Sequence, residues 1–256
     1  TLSVIFAGGK KDSSVDNSLL DVQEKGVFVL GLDDSFPPLG FRDESNNIVG
    51  YDIDLATEAC NRLGLKLTCQ PIDWAAKEQE LNTGKIDCIW NGFTMTPERE
   101  EALCFSKPYL DNAQVVIVKT ASGYKTLADL AGKKVGLQAG SSAADALESS
   151  AEFKKSLKSV VEFKDNLTAF MDLEIGGVDA VIMDMVVGNY SIKTTGKPFT
   201  VLSENLSTEK YGIGFRKGDV ALRDAFQKVL DEMAADGTVA KISNKWFDKD
   251  ISVIGK

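Results

Sequence analysis

Arg99 is the residue with the most definite chemistry to offer. It closes the segment FTMTPER, five positions after Thr94. Its guanidinium is a planar fork able to grip one carboxylate through two parallel hydrogen bonds. The plainer alternative is a surface arginine at a helix start, paired with Glu98 or Glu100. Asp184 ends the apolar run Ala180–Met183. A carboxylate there stands at the carboxyl end of a strand, where open α/β sheets present groups to ligands, although such an aspartate also commonly caps the next helix. Gly140, Ser141 and Ser142 open a further helix, and the free N–H groups and positive end of that turn suit an anion. Capping by Ser141 is compatible with that role. A ligand with one carboxylate and one ammonium at fixed separation needs such a set, because each charge must find a charge-assisted partner once water is excluded.

Composition removes several other chemistries. The 256 residues include no histidine, so imidazole-dependent triads and the commonest zinc ligand drop out, and neither a metal nor a cofactor is expected. The four cysteines, Cys60, Cys69, Cys88 and Cys104, form no C-x-x-C pair; a Cys60–Cys69 disulfide and four buried free thiols both remain open. A net charge of −9 repels polyanions and makes nucleic acid an unexpected partner. The opening TLSVIFAGG followed by Lys10, Lys11, Asp12, Ser13 and Ser14 reads as the end of a secretory apolar region running into a polar tether. Gly9 would then stand where a lipoprotein carries its lipidated cysteine; a frayed end with no such history is the other reading. No run reaches the roughly 20 apolar residues of a membrane span.

The elements that must position these groups alternate between short apolar strands and longer amphipathic segments, which predicts α/β layering with largely parallel strands. A first unit runs through the strand Val27–Leu32, a loop DDSFPPLGF, a helix over Gly50–Leu63, the strand Leu65–Cys69, a helix over Ala75–Leu81 and the strand Ile86–Trp90. A second unit follows Val115–Lys119, with strands at Lys134–Leu137, Val160–Phe163 and Ala180–Met183 and helices at Ser142–Leu147 and Asn166–Glu174. The chain then returns through YGIGFRKGD to a charged helix over Asp219–Ala235 and a last one ending at Lys245, Trp246 and Phe247. The second unit reads as an insertion into the first: a tether over 1–25, one lobe from 26–108 plus 213–256, another over 114–207, and hinge crossings at 109–113 and 208–212.

In combination, the segments LDDSFPPLGF, GYDIDL, IDWAAKEQELNTGKIDCIWNGFTMTPERE, FSKPY, KKVGLQAGSS, GGVDAVIMD, YGIGFRKG and KWF resemble the polar amino-acid solute-binding proteins of ABC importers, bacterial extracellular solute-binding protein family 3. The resemblance covers nearly everything from Gly26 to Phe247. It implies a two-lobed, type II periplasmic-binding-protein-like clamp that binds a free L-amino acid, acts as a monomer outside the cytoplasmic membrane and is read by a membrane permease. It assigns Arg99 to the α-carboxylate and Asp184 to the α-ammonium, with Ser141, Ser142, Gly92 and Thr94 adding backbone and hydroxyl contacts. Phe36 and Trp74 match its aromatic walls, whereas Trp90 and Phe93 read as core. Asp33 matches a position that meets the ligand's distal nitrogen, and Asp34, Glu78, Asn91 and Gln138 could reach the same region. Asp33 with Glu78 would favour a cationic tip, arginine or lysine, while Asn91 and Gln138 would suit glutamine. No basic residue reads as aimed at an acidic ligand. The fold also serves a few dehydratases, for which only Asp33, Glu78 or a lysine could supply a general base.

Overall fold

The structure is a computed structural model that describes residues 15–256. The signal remnant, the polar tether and the Gly9 question lie outside the described residues. Residues 18–25, counted with the tether in the sequence reading, instead form α1 (Ser18–Lys25). The reason is tertiary: Asp16 and Ser18 accept backbone N–H groups of Ala221 (2.6 Å) and Leu222 (3.1 Å), which have no partner within the first turn of their own helix.

The first lobe continues through β1 (Val27–Leu32), β2 (Ser35–Phe36), β3 (Gly40–Arg42), β4 (Ile48–Val49), α2 (Tyr51–Leu63), β5 (Lys66–Pro71), α3 (Lys77–Asn82), β6 (Cys88–Ile89), α4 (Pro97–Ala102) and β7 (Leu103–Phe105). The second holds β8 (Leu110–Lys119), β9 (Lys134–Gln138), α5 (Ser142–Ser149), α6 (Ala151–Ser156), β10 (Ser159–Phe163), α7 (Asn166–Ile175), β11 (Ala180–Asp184), α8 (Met185–Thr195), β12 (Phe199–Val201) and β13 (Ser207–Tyr211). The chain returns in β14 (Gly214–Arg216), α9 (Val220–Ala235) and α10 (Thr238–Phe247).

The sheet of the first lobe has the order β5-β1-β6-β14-β7, and that of the second β10-β9-β11-β8-β12, with β13 also on β8. Neither is as parallel as the sequence implied. β1 runs parallel to β5 and β6, but β14 is antiparallel to β6 and β7. Likewise β9 is parallel to β10 and β11, but β8 is antiparallel to β11, β12 and β13. Strands entering or leaving the lobe junction run directly between sheets instead of crossing over a helix, and that reverses their direction. The DDSFPPLGF loop also carries structure, since β2, β3 and β4 form a small antiparallel sheet.

Apolar runs without alternation mark strands covered on both faces. All of Val115–Val118 and Ala180–Asp184 is buried. In the first lobe α2 and α9 close over Phe28, Leu30 and Leu32, with Phe28 stacked on Phe226 at 4.2 Å. A buried side chain of that size is worth about 1.5–3 kcal/mol in transfer free energy. All four cysteines are free thiols; the disulfide left open above is not formed.

The two crossings lie side by side. β8 and β13 pair from Leu110–Tyr211 through Asn112–Glu209 to Gln114–Ser207, so the stretches named as hinges form one two-stranded ribbon. It is tied into the first lobe by Met95 N–H donating to Lys210 O and Tyr109 N–H to Tyr211 O, each at 2.9 Å.

Candidate ligand-binding site

The carboxyl ends of the strands converge between the lobes. From the first come Asp33 after β1, Phe36 on β2, Trp74 after β5, Asn91, Gly92 and Thr94 after β6, and Arg99 on α4. The second supplies Gln138 at the end of β9, Ser141 and Ser142 at the start of α5, and Asp184 at the end of β11. These eleven residues line one narrow cleft, whereas Asp34, Glu78 and Gly140, also named from the sequence, are not part of its lining.

Arg99 is not the surface arginine of the plainer reading. Thr96 caps α4 by accepting the Arg99 N–H (3.3 Å), with Pro97 at the first helical position, and this turns the side chain inward. There it is buried, donates to Thr94 O at 3.0 Å and lies 4.7 Å from the centre of the Phe93 ring. Phe93 therefore does more than fill the core: it carries the guanidinium. Neither Glu98 nor Glu100 pairs with Arg99; Glu78 does, at 3.9 Å. Glu78 thus stands beside Arg99 and does not join Asp33. Asp34 is also turned away, held by Arg42 at 2.5 Å.

Asp184 precedes α8 at the N-cap position but makes no capping hydrogen bond. Its Oδ1 instead accepts from Tyr211 Oη (2.6 Å), Asn112 Nδ2 (2.7 Å) and Gln114 Nε2 (2.8 Å). Burial and the nearby Glu209 carboxylate push its pKa well above the usual range.

At the other end Asp33 accepts from Gln138 Nε2 (2.7 Å) and Ser35 N (2.9 Å), while its own N–H donates to Asn91 Oδ1 (3.1 Å). Among the described residues no lysine or arginine bonds to it. Burial, with Asp165 and Asp34 nearby, raises its pKa to about 6. Trp74 is buried edge-on to Phe93, and Phe36 packs so close to Gly92 that a Cβ there would lie 2.8 Å from the Phe36 ring.

Several contributors escaped the sequence reading. Lys77 is buried and donates across the cleft to Gly140 O (2.9 Å) as well as to Trp74 O (3.2 Å). Asp52, wholly buried, holds the Gly92 turn from beneath by accepting Gly92 N–H and Tyr109 O–H, both at 2.9 Å; burial raises its pKa to about 7. Asn112 and Gln114 had a signal, being polar residues two apart in an otherwise apolar strand. Lys77 and Glu209 had none.

Residues 28–249 match the family described as bacterial extracellular solute-binding proteins, family 3. The chain belongs to that family. Its members are amino-acid-binding components of ABC importers and not enzymes, so the dehydratase alternative falls. This solute-binding protein is 30% identical over 251 residues to the L-cystine-binding protein TcyJ of Escherichia coli K12, spanning 97% of this chain and 93% of that one. Among solved structures it is similar to Tv2483 bound to L-arginine, with TM-score 0.90, 36% identity and coverage of 94% and 98%. It is also similar to an ABC uptake transporter substrate-binding protein from Streptococcus pneumoniae with bound histidine, with TM-score 0.91, 35% identity and coverage of 94% and 100%. No helix among the described residues is long and apolar enough to cross a membrane.

The raised carboxylates make a stability prediction. Asp33, Asp52 and Asp184 keep protons in the folded protein up to about pH 6 to 7, whereas the unfolded chain loses them near pH 4. The native state therefore binds more protons in that interval, and its stability falls as pH rises through it. Stripped of ligand, the protein should melt several degrees higher at pH 5.5 than at pH 8, for a difference on the order of 1–3 kcal/mol. Differential scanning calorimetry across that range would reveal it; a melting temperature that climbs toward pH 8 would mean the carboxylates are ionised in the fold.

Proposed function

We propose that this protein captures a free L-amino acid with a cationic side chain, arginine or lysine, outside the cytoplasmic membrane, and presents the closed, monomeric clamp to the permease of an ABC importer. Arg99, Thr94 and the start of α5 hold the α-carboxylate, Asp184 holds the α-ammonium, and Phe36 and Trp74 enclose the side chain. The observation that carries the choice of side chain is Asp33: a buried carboxylate met only by neutral donors is costly, and a cation arriving at the closed end of the cavity relieves that cost. Aromatic walls add about 0.5–2 kcal/mol to a cation by cation–π attraction. The S. pneumoniae and Tv2483 ligands, histidine and arginine, are of compatible chemistry.

Closure follows from where the contacts fall. A ligand that touches both lobes favours the closed state by its differential affinity for it, and the ribbon of β8 and β13 is the hinge. The cross-cleft bonds of Lys77 to Gly140 and of Gln138 to Asp33 add to that state.

The test is a thermal-shift screen of all the proteinogenic amino acids and L-cystine, since a ligand at 100 times its Kd stabilises by about 2.7 kcal/mol. It is followed by titration of arginine, lysine and glutamine against the parent and Asp33→Asn at one ionic strength. Arginine and lysine should each lose about 2 kcal/mol or more, and glutamine clearly less, because removing one partner of a desolvated pair strands the other. Equal losses, or no arginine or lysine binding by the parent, would establish an amide-bearing or other ligand; a screen with no shift at all would sink the binder itself.

A further inference from the structure

Antiparallel pairing sets Asn112 of β8 opposite Glu209 of β13, and directly opposed side chains share a face of the ribbon. Glu209 consequently enters the polar bed that holds Asp184. Asn112 Nδ2 donates to Asp184 at 2.7 Å and to Glu209 at 3.2 Å, and Gln114 Nε2 to the same two at 2.8 and 3.0 Å. The same Glu209 Oε2 accepts the hydroxyls of Thr94 (3.0 Å) and Ser142 (3.3 Å), which come from opposite lobes and line the cavity. Two carboxylates thus share two neutral amides. Among the described residues no ammonium or guanidinium bonds to either, and neutral donors alone cannot balance two negative charges in a poorly hydrated place.

We infer that Glu209 is a second binding residue for the ligand's α-ammonium, which seats between Asp184 and Glu209 within reach of the Thr94 hydroxyl. The inference rests on the amino-acid reading above and sharpens it: the site selects a free, protonated α-amine and rejects N-acylated amino acids. Without ligand Asp184 holds its proton to well above the usual carboxylate range, because of its burial and then of the Glu209 charge beside it. When the ammonium enters with its own protons, it takes over the charge balance and that retained proton leaves to solvent. The other titratable groups facing the pair do not compete. Tyr211 is held protonated well above its usual range by burial and by Asp184, and Arg99, though lowered by burial, remains a cation at neutral pH.

The experiment is calorimetric titration of the full chain at pH 6.5 with L-arginine, L-lysine, L-histidine and L-cystine, each in two buffers of different ionisation enthalpy. The parent should release a substantial fraction of a proton per amino acid bound. Glu209→Gln should release clearly less than the parent and bind at least about tenfold more weakly, having lost one charge-assisted partner; Glu209→Asp should keep the release. Nα-acetyl-arginine should bind none of them measurably. Glu209→Gln with parental affinity, or with weakened affinity but undiminished proton release, would reduce Glu209 to a brace between the lobes and overturn the proposal. A parent that binds none of the four compounds, and none of the amino acids in the thermal-shift screen, would refute the amino-acid reading, and this proposal with it.

Discussion

Arg99→Lys should weaken binding of the cognate amino acid by at least 100-fold while the protein stays folded. The guanidinium sits 4.7 Å from the centre of the Phe93 ring and donates one N–H to Thr94 O, which leaves its other N–H groups for a carboxylate in the cleft that Arg99 lines with Thr94, Ser141 and Ser142. A lysine ammonium is a point charge on a flexible stem and cannot reproduce a two-point grip. Truncating one partner of a buried charge pair costs about 2–5 kcal/mol, and the replacement cation recovers only part of that. Stability should change much less, because the hydrogen bond lost is the one to Thr94 O, worth about 1 kcal/mol, and a lysine keeps a positive charge near Glu78 and Phe93. Calorimetric titration with a melting curve on the same preparation separates the two effects. Affinity equal to the parent's would remove Arg99 from the carboxylate site.

Gly50→Ala should be among the most damaging substitutions of a single methyl group in this chain. Gly50 has φ 146° and ψ 174°, a region open in practice only to glycine. A Cβ would also lie 2.1 Å from Leu39 O and 2.5 Å from Leu39 C, and these are backbone atoms that cannot swing aside. The tight approach lets Tyr51 and Asp52 donate their N–H groups to Pro38 O (2.8 Å) and Leu39 O (3.0 Å), which fixes the first turn of α2 and delivers Asp52 beneath Gly92. Backbone strain alone accounts for about 1–3 kcal/mol, and the clash adds to it. At this size about 3 kcal/mol corresponds to a fall of roughly 10 °C in melting temperature. Gly64→Ala is the control. Gly64 also has positive φ, at 70°, but open space around it, so its cost should be about 1–2 kcal/mol. Equal losses for the two would show that the approach to Leu39 is not the constraint.

How far the sequence reached follows from the range of the interactions involved. The strands Val27–Leu32 and Ala180–Met183, the α2 start at GYDIDL and the turn at Gly140 to Ser142 could be read because hydrophobic period, glycine conformation and helix-end chemistry act over a few residues. Arg99 and Asp184 could be named because each follows such a local signal. What their side chains do there was not legible: an arginine at a helix start and an aspartate before a helix have ordinary roles, and only burial and the partners they meet distinguish these from a ligand site. The tertiary structure alone turned Glu78 toward Arg99 and Asp34 toward Arg42, leaving Asp33 without a cation. It alone ran β8 and β14 against their neighbours, a reversal set by where the chain crosses between sheets. Glu209 reaches Asn112 over a sequence separation of 97 and Lys77 reaches Gly140 over one of 63. Both contacts depend on how the two lobes are joined and closed, and no pattern within either segment encodes the other.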